Sequence, residues 1–84
     1  MSKNFDTTAN DQNTYRYAFN ALAVAFDRAA VNGNVNDAAK LADAMVKVAH
    51  KMDSSFDPFG VASLREVARD AVVMVEALRE EQAA

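Results

Sequence analysis

Apolar residues recur at steps of three and four along most of this chain. One ladder runs Tyr15, Phe19, Leu22, Phe26 and Ala29; a second runs Ala38, Leu41, Met45, Val48 and Met52. A third runs Leu64, Val67, Ala71, Val75 (with Met74) and Leu78. Such spacing lines each set along one side of a helix, and that side must find a partner surface to leave water. Two breaks separate the ladders, Asn32-Gly33 and the segment from Asp53 to Gly60 that holds Pro58. The pattern predicts an all-α fold, a three-helix domain built on an antiparallel helical hairpin.

Local signals place the ends. Residues 1–10 are polar and without period, and read as a flexible arm in which Phe5 is the one side chain fit to tuck against the body. Asn10 or Asp11 can cap a first helix over about 11–31, and Asn32-Gly33 suits its C-terminus. Asn34 or Asn36 then caps a second helix over about 36–52. Asp37 lies in its first turn and Lys47, His50 and Lys51 in its last, the polarity that opposes the helix dipole. The third helix has two candidate starts. Asp57-Pro58 offers a cap followed by proline at the first helical position, and Ser63-Leu64-Arg65-Glu66 offers a capping box. The long Phe-bearing connection favours the second, giving a main helix over about 63–81 with Phe56 and Phe59 closing one end of the core. The expected core is Tyr15, Phe19, Leu22, Phe26, Leu41, Met45, Val48, Met52, Leu64, Val67, Ala71, Val75 and Leu78, with alanines at many contacts. The small residues of Ala29–Ala44 have the composition of a helical-hairpin repeat, but one hairpin cannot close a solenoid, which needs about three.

At 84 residues the chain is one domain's worth, with no cysteine to staple it. No apolar run approaches the ~20 residues of a membrane span, and the start lacks a secretory pattern. The cytoplasm is the expected compartment. Net charge is −3, of which residues 53–84 carry −4 and residues 36–52 carry +1. Nine bases in an acidic background are a poor supply for counterion release, so nucleic acid is a disfavoured partner.

Little in the sequence carries chemistry. His50 is the only histidine. A catalytic His needs an orienting carboxylate and a nucleophile, and here Asp43, Lys47 and Lys51 surround it while Ser54 and Ser55 are close only in sequence. The acids of the third helix alternate with arginines, as a solvated face does. Two glycines cannot make a phosphate loop. No cofactor, metal site or small-molecule substrate is expected, and the protein does not read as an enzyme.

What is left over is apolar. On the first helix Tyr17, Val24 and Val31 fall opposite the core ladder in steps of seven, and Val73 stands among charges on the third. Scattered single apolar residues are ordinary; a line of three on one helix points to a docking surface. The bland alternative is that residues 53–60 fold over it. The expected function is a small acidic, non-catalytic protein acting by protein–protein contact, with another protein or with itself as a homodimer. An accessory, adaptor or inhibitor protein of phage or bacterial type fits the size. The alternative is a helix-turn-helix regulator using Lys40, Lys47 and Lys51 on the second helix. Against it, recognition helices read bases with their N-terminal residues, which here are Asn36, Asp37, Ala38 and Ala39.

Overall fold

The computed structural model describes residues 3–55 and 57–83, with side chains from residue 12 onward. It contains three helices, α1 (Lys3–Val31), α2 (Val35–Lys51) and α3 (Pro58–Ala83), and no strand among the described residues. α1 starts well before the expected cap at residue 10 or 11, so residues 3–10, read as an arm, continue the helix. None of them is glycine or proline, and lengthening a helix already nucleated costs little per residue. Phe5 lies outside the described side chains.

α1 ends where Asn32-Gly33 predicts. Gly33 takes φ +72°, its amide donates to the Ala30 carbonyl at 3.1 Å, and the Asn34 amide donates to the Ala29 carbonyl at 2.8 Å. That pair of bonds is a Schellman motif, which needs the left-handed conformation that glycine adopts without strain. Three residues later the chain turns back as α2. Asn34 holds the N-cap position but leaves the first-turn amides alone; its Nδ2 donates to Asp37 at 2.7 Å and fixes that carboxylate at the positive end of the helix.

α2 is the centre of the molecule. It packs along α1 on one side and along α3 on the other, whereas α1 and α3 barely meet. The third helix therefore lies along α2 and not across the hairpin. The reason is the width of α2's apolar arc: Val35, Ala38, Ala42, Met45, Ala49 and Met52 are all buried, and Leu41, Val46 and Val48 pack beside them. Its alanines admit close helix approach. Phe19 and Phe26 of α1, and Val61, Ala68, Ala71 and Val75 of α3, complete the core. Principal-axis extents of 58 × 18 × 13 Å and a radius of gyration of 14.8 Å, against roughly 12 Å for a compact chain of this length, describe an elongated domain.

Two of the expected core positions are corrected. Val67 is 44% exposed and Phe59 is 87% exposed. Both follow from α3. Its start is Pro58, five residues before the expected main helix: Asp57 caps it through Oδ1, which accepts from the Gly60 amide at 3.1 Å, and proline fills the first helical position. Phe59 then sits in a solvent-facing first turn, and α3 presents Val61, Ala68 and Val75 to α2, leaving Val67 at its edge. Phe56 lies outside the described residues.

A candidate docking face on α1 and α3

The connections that hold the three helices also determine which surfaces stay open. At one end, the Gln12 side chain of α1 is buried and its Oε1 accepts from the Asp53 amide at 2.9 Å. Arg16, one turn further, pairs with Asp57 at the start of α3. Arg65 of α3 reaches back to α2, donating from Nε to the Ala49 carbonyl and from Nη2 to the Met52 carbonyl, both at 3.2 Å. The carbonyls at a helix C-terminus run short of amide donors; the Ala49 carbonyl accepts from the Met52 amide at 3.3 Å, and this guanidinium adds a donor to it and to the Met52 carbonyl. At the other end Gln82 Nε2 donates to the Gly33 carbonyl at 2.9 Å. α3 is thus tied at its start to α1 and near its end to the turn between α1 and α2, while α1 and α3 themselves touch little.

The strip on α1 remains uncovered. Tyr17 is 76%, Val24 55% and Val31 86% exposed, and among the described residues nothing lies over them. The connection that might have roofed them is engaged at Gln12 and Arg16 instead, and its Ser55 turns inward on Asp53 through both its amide and its hydroxyl. Val73 is also exposed but does not join the strip: it stands on the outer side of α3, a helical step of about 100° from Met74.

Beside the strip runs a groove between α1 and α3. Met45 of α2 forms its floor with Phe26 and Ala71; Val67 and Met74 wall it, and Asp27 and Asp70 stand on its rims. Asp27 also borders the shallow hollow beside Val31, so strip and groove share an edge. Sequence reasoning missed this groove and took Val67 for core. The step of seven from Val67 to Met74 was its only signal.

A second cleft opens between α2 and α3, with Val46, Ala49, Ala68 and Val72 below His50, Arg65 and Arg69. His50 therefore shares its surroundings with two arginines and no carboxylate. Lys40, Lys47 and Lys51 lie exposed on the outer side of α2, where Asp43 sits between them and pairs with Lys47 at 3.0 Å. The helix that bears them is flanked along both sides, with its N-terminal Val35 and Ala38 buried. Among the described residues no group of three or more His, Asp or Glu is placed to hold a metal ion, and no helix is long and apolar enough to cross a membrane. The chain matches no family model, no curated protein and no solved structure.

Proposed function

We propose that this protein works by non-catalytic contact with another protein, as an accessory, adaptor or inhibitory chain, through the outer surface of α1. The observation that carries the reading is the strip itself, three large apolar side chains in steps of seven at 55–86% exposure. Water around such side chains is released when a partner covers them, at about 25 cal/mol per Å². The cytoplasm is the compartment we propose, on the cysteine-free composition.

The strip alone is small. Even at roughly 150–250 Å² for each large side chain, three of them fall short of the ~800 Å² each partner contributes to a stable interface. A partner gripping the strip has to cover neighbouring surface as well. Light scattering across a concentration series, beside affinity capture with wild-type and Val24→Glu baits, tests the proposal. A protein, or a second copy, held by the wild type and lost with Val24→Glu is the expected result. A strict monomer whose captured proteins are unchanged by that substitution removes the support.

A further inference from the structure

The neighbouring surface that the strip needs is the groove between α1 and α3, and its chemistry specifies more than "apolar". Val67 and Met74 are 44% and 47% exposed and stand seven residues, or ~10 Å, apart along one wall. Phe26, Ala71 and Met45 at the base are already dry, at 1–4% exposure. The rims are of one sign: Asp27 on α1 and Asp70 on α3 are exposed, and neither belongs to an ion pair among the described residues. The arginine next to Asp70, Arg69, serves the opposite cleft.

We propose that this groove receives a cationic amphipathic helix from a partner protein. Apolar side chains on one face of that helix would seat between Val67 and Met74, with Lys or Arg on both flanks meeting Asp27 and Asp70. Laid in the groove, it would lie against α1 and α3 above the buried Met45 of α2, much as a further helix joins a bundle. The inference rests on the docking reading above and names the partner's chemistry. A second copy of this chain is a poorer occupant. The basic outer side of α2 (Lys40, Lys47, Lys51) has no exposed apolar ridge, and the apolar Val73 of α3 stands among Asp70, Glu76 and Glu80 with Arg69 as the one base, a net acidic surface that would meet the acidic rims with like charge.

The test uses the full chain and designed peptides of ~18 residues, long enough for five helical turns, that share one leucine face and differ in carrying Lys, Gln or Glu on its flanks. Fluorescence anisotropy should show the Lys peptide binding at least about tenfold more tightly than the Gln peptide, with the Glu peptide weaker still. The double variant Asp27→Asn/Asp70→Asn should lose about that factor. Glu76→Gln/Glu80→Gln, the same change of net charge on the outer side of α3, should leave affinity unchanged, and Met74→Lys should abolish binding by the Lys peptide. Equal weakening by the two double variants would mean diffuse attraction to an acidic protein and would overturn the proposal. So would concentration-dependent dimers strengthened by Asp27→Asn/Asp70→Asn, which would put a second copy in the groove. The broader docking reading is judged separately by Val24→Glu: if capture depends on Val24 while the Lys peptide ignores the groove, the strip stands and the groove assignment falls.

Discussion

Replacing Gly60 with alanine should destabilise this protein, against the usual direction for a helix. In a helix interior alanine is favoured over glycine by about 0.5–1 kcal/mol, since it restricts the unfolded chain more. In a domain of this size that gain would raise Tm by roughly 2–8 °C. Gly60 has ordinary backbone angles, so no strain at φ forbids the change. What opposes it is space, which the Asp57 and Arg16 side chains would have to yield. A Cβ built there would lie 2.9 Å from Arg16 Nη2 and 2.9 Å from the Asp57 carboxyl carbon, and closer still to one Asp57 oxygen. No real Cβ tolerates these approaches, so both side chains must swing away. They are the two halves of the pair that ties α1 to α3, and Asp57 is also the cap of α3. Losing both should more than cancel the propensity gain and lower Tm by several degrees. Thermal unfolding followed by circular dichroism measures this, and an Asp57→Ala background supplies the control. With the carboxylate gone, Gly60→Ala should recover the ordinary gain of about 0.5–1 kcal/mol. A rise in Tm on Gly60→Ala in the wild-type background would refute the packing argument.

Three further outcomes follow from the same contacts. Arg65→Met keeps most of the apolar stem but takes the guanidinium from the Met52 carbonyl and leaves the Ala49 carbonyl only the Met52 amide; we expect a loss of about 1 kcal/mol in urea unfolding, with faster amide exchange in the last turn of α2. The Asp57 carboxyl is held below its usual 3.8, first by the Gly60 amide and then by the Arg16 guanidinium, with burial opposing them. The unfolded chain therefore binds the proton more readily, so this contribution is complete above about pH 5 and drains as pH falls through the lowered value; the urea midpoint of wild type should fall more steeply below about pH 5 than that of Asp57→Asn. Phe59→Ser, at a residue expected to close the core and found 87% exposed, should leave stability within about 0.5 kcal/mol by the same urea assay.

The three helices were legible because periodicity records burial directly, and Gly33 marked the first turn because a Schellman end needs a left-handed residue. The start of α3 was harder. Two caps competed, and a glycine two residues after Pro58 looked like loop, when its role is to leave room for Asp57 and Arg16. That one choice also hid Val61, which is 2% exposed and lies before the expected main helix at 63. The central position of α2 was encoded in Ala38, Ala42 and Ala49, residues whose small side chains weigh little in a hydropathy pattern yet here are almost wholly buried. The exposure of the strip on α1 could be suspected from its steps of seven. The groove could not, because it depends on how far α3 stands from α1, and nothing local in either helix specifies that distance.

The proposed docking would draw on the same surface as folding does. α2 spends its whole apolar arc on its two neighbours through alanine-rich contacts, which bring helices close but bury little area per residue. A domain of this size hides only about 60% of the surface its unfolded chain exposes. The side where α1 and α3 meet least is therefore both thinly packed and an apolar trough beside the strip. A helix seated there would stiffen the contact between α1 and α3, which otherwise rests on Arg16–Asp57 and Gln82–Gly33. A ligand that binds only the folded chain raises its stability by RT ln(1 + [L]/Kd), about 2.7 kcal/mol at a hundredfold excess over Kd. Because the groove is bounded by both helices, an occupant should also slow amide exchange on α1 and α3 together. A partner confined to the α1 strip would protect α1 alone.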